Sequence, residues 1–327
     1  MSQQIYFHPD DTEFRKSSFL VTGGAGFVGS HIVDYLMNNG AEKVHVLDNL
    51  VEGRMSNIQH WMSNPRFEFF NGDICDPATV NSAMRGIDYV SHQAALGSVP
   101  RSILNPLATN QANVTGFLTV LNAAREANVK RMVYASSSSV YGDHAVLPKV
   151  EHQIGNPLSP YAVTKRVNEL YADVFGRAYG MEIIGLRYFN IFGPRQNPAG
   201  PYAAVVPLFI QGLIDNKAPF LNGDGSQTRD FTYVENAVQA NIKALFSKHP
   251  EAIGKVYNVA VGERISIAEM YTILKNFTGS KLEALHREPR EGDIQDSLAD
   301  ISLAQTNLDY KPSVKMQEGL RRTLDSF

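Results

Sequence analysis

Two residues four apart, Tyr161 and Lys165 in Tyr-Ala-Val-Thr-Lys, are the part of this sequence best suited to chemistry. A phenol titrates near pH ~10 unaided, and an ammonium group beside it favours the phenolate, so Lys165 should bring Tyr161 towards working as a base near neutrality. The pair works only if one helix presents both. Ser159-Pro160 offers a start for that helix, a capping hydroxyl followed by a residue at home in a first turn. A helix over about Pro160 to Tyr179 would put Tyr161 and Lys165 one turn apart on one face. A lone Tyr-x-x-x-Lys is common by chance; this one follows a glycine-rich turn, an acid at a strand end and a serine cluster, in the order a doubly wound fold requires.

The serine cluster ends a predicted strand. Arg131-Met-Val-Tyr-Ala135 runs into Ser136-Ser-Ser-Ser139-Val-Tyr141-Gly142. Hydroxyls there can donate to and accept from a substrate alcohol being oxidised beside a phenolate; four serines in a row also suit a plain polar loop. Further upstream, Ser18-Phe-Leu-Val-Thr22 reads as a buried strand leading directly into Gly23-Gly-Ala-Gly26-Phe-Val-Gly29. A helical pattern (Val28, Ile32, Leu36) follows and ends at Gly40. Strand, glycine turn and helix start in this order let the backbone of Gly23, Gly26, Phe27 and Val28 approach a pyrophosphate.

The next strand, Lys43-Val-His-Val-Leu47, ends in Asp48-Asn49. A carboxylate at that place accepts hydrogen bonds from an adenosine ribose and repels a 2′-phosphate, which favours NAD over NADP; Arg54 nearby argues the other way. A third strand, Phe67 to Phe70, leads into Gly72-Asp73-Ile74, and a fourth, around Tyr89-Val90, into His92-Gln93-Ala94-Ala95. Both loops fall where strand ends meet a cofactor crevice. Asp73 can reach an adenine or cap a helix, Ala94 and Ala95 permit close approach, and His92 reads as a core histidine. A long helical pattern from about Pro106 to Ala127 turns Asn113 away from much of its apolar set. Its generous apolar surface suits a dimer contact shared with the Tyr161 helix about as well as ordinary core packing.

Composition bounds the partners. The chain has 327 residues, 43% of them hydrophobic, with a net charge of −3. That length suits one large α/β unit or two closely packed domains, and that charge leaves no footprint for nucleic acid or an anionic membrane. A single cysteine, Cys75, excludes an internal disulfide framework and a multi-thiolate metal site. No apolar run approaches the ~20 residues of a membrane span, and the polar N-terminus lacks the apolar core of a signal peptide. The expectation is a soluble cytoplasmic protein with a small-molecule partner. Its fold should be a doubly wound Rossmann-type parallel sheet over 1–190, rejoined by the chain at about 235–260, with a smaller substrate-binding domain mainly within 191–327.

Taken together, Gly23-x-x-Gly26-x-x-Gly29, Asp48, the serines before Val140-Tyr141-Gly142, and Tyr161-x-x-x-Lys165 resemble the extended short-chain dehydrogenase/reductase superfamily, from about Phe19 to about Lys315. Within it the chain is similar to the UDP-hexose 4-epimerases. The resemblance implies a catalytic hydroxyl at Ser137, with Ser138 able to share its role, Tyr161 as base and acid, and Lys165 on the nicotinamide ribose. It places Tyr188, Phe189 and Asn190 between nicotinamide and sugar. It makes Thr228-Arg-Asp-Phe-Thr-Tyr-Val234 and Arg290-Glu-Gly-Asp293 the UDP-binding segments, with Arg229 and Arg290 on the diphosphate.

The residues alone also allow each arginine to pair with a neighbouring carboxylate: Asp230 for the first, Glu291 or Asp293 for the second. Tyr202-Ala-Ala204-Val205-Val-Pro207 can receive a nucleobase by backbone contacts or start a helix, and Asn222-Gly-Asp-Gly225 is turn chemistry beside the substrate. Where the family more often has an aspartate this chain has Glu235 or Asn236. A small residue at Ser297, where the family narrows its pocket, leaves room for a 2-acetamido group. With Gln93-Ala-Ala-Leu-Gly-Ser98-Val-Pro-Arg101 and the serine run through Ser139, the chain looks most like epimerases of UDP-N-acetylhexosamines. Such enzymes are homodimers that commonly feed surface polysaccharide synthesis. Dehydratases of the superfamily carry an acidic pair where this chain has Ser138 and Ser139, and a silent binding protein would need no Ser-Tyr-Lys set.

Overall fold

Strand β1 (Ser18–Thr22) has no solvent face: Phe19 and Val21 enter one core and Leu20 the other. A parallel strand of this kind has to sit in a sheet covered by helices on both sides. The computed structural model, which describes residues 12–199, 203–288 and 295–327, shows that sheet. Its other strands are β2 (Lys43–Asp48), β3 (Phe67–Asn71), β4 (Tyr89–His92), β5 (Arg131–Ser137), β6 (Ile183–Tyr188) and β7 (Val256–Val259). They lie in the order β7-β6-β5-β4-β1-β2-β3, every pair parallel. This is the doubly wound arrangement expected. Its order reverses between β1 and β4, which opens a crevice beyond the C-terminal strand ends.

Five helices matter for the site: α1 (Phe27–Asn38), α2 (Gly116–Glu126), α3 (Pro160–Tyr179), α4 (Val205–Ile214) and α5 (Val234–Phe246). Ile32, Val33 and Leu36 of α1, with Ala237, Ala240 and Ile242 of α5, pack on Phe19, Val21 and Val133. Phe117, Val120 and Leu121 of α2, with Ala172 and Phe175 of α3, pack on Leu20, Val90 and Met132 on the opposite face. The chain thus comes back to the sheet with α5 and adds β7 at its edge beside β6. A third core gathers Phe192, Phe209 and Ile210 with Leu221, Phe231 and Met270.

The single helix expected over 106–127 is three pieces: α-helical at Pro106–Asn110, a π turn at Gln111–Thr115, then α2. A π turn takes in an extra residue and rotates the face that follows. Of Glu235 and Asn236, Asn236 accepts from the backbone N–H groups of Ser313 and Val314 at 3.0 and 3.1 Å and donates to Val314 O at 2.8 Å. Glu235 pairs with Arg322 at 2.8 Å instead.

The tightest approach in the first βα unit is between glycines. A Cβ on Gly29, in the first turn of α1, would stand 2.2 Å from Gly23 O, so the helix can sit this low over the turn only without a side chain there. Gly29→Ala should therefore destabilise the protein by about 1–3 kcal/mol through overpacking. Calorimetric melting checks it, with Gly86→Ala, whose added Cβ meets nothing within 4 Å but whose φ is +70°, as the comparison for backbone strain without a clash.

Candidate active site

A cavity of about 540 Å³ lies over the C-terminal ends of β1, β2, β4, β5 and β6. Its wall carries Gly23, Gly26, Phe27 and Val28 from the first turn, Asp48 and Asn49 from the end of β2, Asp73 and Ile74 after β3, and Gln93, Ala94 and Ala95 after β4. Gly23 has φ +67°, and a Cβ there would meet Ala94 N at 2.7 Å, so the two loops touch backbone to backbone. Asp48 accepts from Ala25 N at 3.0 Å and Leu50 N at 2.8 Å. Asn49 donates to Asp73 at 3.0 Å, tying the second and third strand ends together. The wall includes Asp48 and Glu52 but not Arg54, so this end of the cavity is anionic and unsuited to a 2′-phosphate.

At the other end stand Ser137, Tyr161, Lys165, Tyr188 and Asn190. Helix α3 begins as its sequence indicates: Ser159 Oγ accepts from Ala162 N at 3.1 Å, with Pro160 in the first turn. Lys165 Nζ lies 5.9 Å from the centre of the Tyr161 ring and donates to Ala135 O at 2.7 Å. The Ser137 hydroxyl faces Tyr161 closely enough to favour its phenolate. The ionisation balance differs from that expected. Burial raises Tyr161 above the ordinary phenol value, and the opposing influence comes from the Ser137 hydroxyl rather than from Lys165. Lys165 itself is pulled down to about 8 by burial, with Glu169 acting the other way. Spacing along a helix fixes proximity; it does not report how little water reaches the pair.

His92 is the core histidine expected. Its Nδ1 lies 2.8 Å from Thr22 Oγ1, its ring meets Phe117 edge-on, and burial lowers it to about 3. Among the described residues no group of three or more His, Cys, Asp or Glu could hold a metal ion, and no helix is long and apolar enough to cross a membrane.

Known proteins bear on this geometry. The sequence profile of the NAD dependent epimerase/dehydratase family matches residues 19–260. The chain belongs to that family. It is 39% identical over 308 residues to a putative UDP-glucose 4-epimerase of Methanocaldococcus jannaschii, covering 94% of this chain and 97% of the relative. Among solved structures it is similar to the UDP-N-acetylglucosamine 4-epimerase from Methanobrevibacter ruminantium in complex with UDP-N-acetylmuramic acid, with TM-score 0.90, 39% identity and 95% and 98% of the two chains covered. It is also similar to the UDP-glucose 4-epimerase of Thermus thermophilus complexed with NAD, with TM-score 0.84, 34% identity and 94% and 98% covered.

NAD is the cofactor of the family, and this wall fits it, with side-chain-free backbone at Gly23 and Gly29, a helix N-terminus at Phe27 and a carboxylate at Asp48. When bound, NAD supplies a two-electron oxidant for an alcohol.

Other expected site residues of this epimerase/dehydratase family member lie off the cavity wall. Asn113 is buried behind it: its side-chain amide accepts from Leu96 N at 2.8 Å and donates to Leu96 O at 3.2 Å and Thr164 Oγ1 at 3.1 Å, fastening the loop after β4 to α3. Ser98 caps a short helix through Arg101 N, and the Arg101 guanidinium meets Glu52 at 2.5 Å. Ser138 and Ser139 begin a 3-10 turn, capped by Ser137 Oγ on Ser139 N at 3.1 Å. Ala204 stands just before α4, whose first residue is Val205, so the helix-start reading holds there. Asn222 accepts from Arg287 at 2.5 Å. Arg290 and Asp293, like Tyr202, fall outside the described residues.

Arg229 and Ser297 come together, since Ser297 N donates to Thr228 O at 3.1 Å. Arg229 does not use Asp230. Its Nη1 donates to the carbonyls of Thr228 and Gln295 at 2.8 and 3.2 Å, whereas Asp230 is buried and accepts from the N–H groups of Val261, Gly262 and Ala299. Sequence reasoning also missed three inward residues: Glu169, Arg187 and Asn241. Asn241 donates to Tyr188 Oη at 2.6 Å and accepts from Gln93 at 3.0 Å, while Tyr188 donates to Gln93 at 2.9 Å. A polar residue amid the apolar helix α5 was the available signal.

Burial raises Asp230 from 3.8 to about 6. Between those values the native state keeps a proton that the unfolded chain has released, so this group favours the fold most at the acid end and less as pH rises through about 6. Asp230→Ala, which strands three backbone donors, should cost about 1–3 kcal/mol. Melting curves of the two proteins should separate more at about pH 5 than at about pH 8.

Proposed function

We propose that this chain epimerises C4 of a UDP-hexose, with UDP-N-acetylglucosamine and UDP-N-acetylgalactosamine as the pair interconverted. The observation that carries this reading is the meeting of Ser137, Tyr161 and Lys165 on one wall of a dinucleotide cavity, beside Tyr188 and Asn190. Tyr161, as phenolate, takes the proton from the sugar O4 while C4 is oxidised, and Ser137 orients that hydroxyl. The Ser137 hydroxyl favours the phenolate, and the Lys165 ammonium holds the cofactor ribose. The 4-keto sugar then turns over, retained by its nucleotide, and Tyr161 returns the proton as reduction occurs on the opposite face. Binding energy from the unreacting UDP keeps the intermediate in place, with Arg229 among its anchors.

The acetamido preference rests on the small, buried side chain of Ser297 beside Thr228, and on the likeness to the Methanobrevibacter ruminantium enzyme. A homodimer is part of the same reading: Val163, Leu170 and Val174 form an apolar stripe on α3, each about half exposed at 48%, 50% and 47%.

Proton NMR of the purified protein with UDP-N-acetylglucosamine, UDP-glucose or UDP-glucuronate in separate tubes tests the reading. New anomeric signals of the galacto isomer, strongest in the first tube, are expected. Conversion only in another tube would keep the mechanism and overturn the acetamido assignment. Loss of the C6 hydroxymethyl signals would point to a dehydratase. Tyr161→Phe should lower turnover by about 10²–10⁴-fold with NAD content unchanged, measured by the same assay and by cofactor release on denaturation.

A further inference from the structure

Lys165 is 2% exposed, and its ammonium group rests on the carbonyl of Ala135. One turn further along α3 stands Glu169, its side chain 3% exposed. Its Oε1 accepts from Ser136 Oγ at 2.7 Å and Arg187 Nε at 2.8 Å; its Oε2 accepts from Arg187 Nη2 at 2.9 Å and Arg166 Nη1 at 3.0 Å. Lys165 and Glu169 therefore grip consecutive residues of β5, Ala135 and Ser136, immediately before Ser137. The β5–β6 register repeats the division: Ser136 is opposite Arg187, in the buried ion network, and Ser137 is opposite Tyr188, in the cavity.

We propose that Glu169 is a positioning residue of this site: its buried carboxylate fixes α3 on β5 so that Ser137, Tyr161 and Lys165 converge, and supplies the negative charge beside which Lys165 stays an ammonium ion. The proposal rests on the epimerase reading for its effect on turnover, but not for its effect on Lys165. The groups around Lys165 leave Glu169 as the source of that charge. From β4, His92 is neutral across the working range; from β5 come a carbonyl and the Ser136 hydroxyl; from β6, Arg187 is turned onto Glu169; from α3 itself come Tyr161, Arg166 and Glu169. Without the carboxylate, Arg166 and Arg187 would lose the partner they share and Lys165 the opposite charge near it. Lys165, already drawn down to about 8, is held up by Glu169.

The test reads Lys165 directly. The NMR shift of its Cε carbon, assigned in isotope-labelled protein by its loss in Lys165→Met, is followed against pH in the NAD-bound protein. The wild-type chain, Glu169→Gln and the double variant Glu169→Gln with Arg187→Met are compared. The double variant lacks the unpaired buried guanidinium that could keep the single one from folding. The midpoint in Glu169→Gln should fall by about one pH unit, move the same way in the double variant, and carry the basic limb of kcat/KM with it. A midpoint at the wild-type value in the variants that fold, with activity scaled down equally at every pH, would mean that Glu169 is only a structural ion pair and would overturn the proposal. If the wild-type protein converts no UDP-sugar, the epimerase reading falls, and the Lys165 midpoint still decides this one.

Discussion

Taking a charged group out of water costs several kcal/mol unless polar groups receive it, and the chemistry proposed for this protein depends on doing so at two side chains. Lys165 and Tyr161 are both withdrawn from solvent, and burial opposes the charged form of each: it lowers the lysine and raises the tyrosine. A proton-transfer pair made only of these two residues would rest as neutral amine and neutral phenol. What resists that outcome is the surroundings: a carbonyl under Lys165, a hydroxyl on Tyr161, and the field of Glu169. The geometry of β5 sets all three, because Ala135 and Ser137 belong to it and Ser136 binds the carboxylate.

The alternation of a strand explains how one short segment serves two environments. Met132, Tyr134 and Ser136 point to the α2 and α3 side, and Tyr134 and Met132 fill that core, while Val133 enters the other. A shift of one residue between β5 and β6 would put Arg187 into the cavity and Tyr188 among buried charges. The ion network of Glu169, Arg187 and Ser136 cannot be satisfied in that register, so the same contacts that surround Lys165 select the pairing that builds the cavity.

Much of this was legible in the sequence because it is local. Buried parallel strands read as apolar runs, the glycine turn follows β1 without a break, and Tyr161 and Lys165 share one helix with its capping serine. The parts that were not legible depend on which segments meet. Glu169 looks like an ordinary helix-surface residue until β5 and β6 are known to lie under it. Arg229 and Asp230 look like a pair, but neighbours on a strand face opposite ways, so one reaches the carbonyls of Thr228 and Gln295 and the other turns inward to Val261, Gly262 and Ala299. Asn113 lies in a π turn, and its amide ties Leu96 to Thr164, a link between distant segments that a helical period does not show.

The same dependence on distant segments bears on how the two ends of the site are held in relation to each other. The chain leaves the sheet at Tyr188 and pairs Ile191-Phe192 in parallel with Thr232-Tyr233, directly before α5 carries it back. Val234, at the start of α5, belongs to the core around Phe209 and Met270, whereas Ala237 and Ala240, one turn on, belong to the core under β1. A single helix is thus embedded in both cores. Arg229 lies five residues before that helix, and Asn190 precedes the strand paired with its entry, accepting from Thr232 N at 3.2 Å. Movement of the Arg229 segment against the Tyr161 wall would have to break this pairing or pull α5 from one of its cores, so the distance between the group that would hold a diphosphate and the group that would take a proton is set by packing rather than by a hinge.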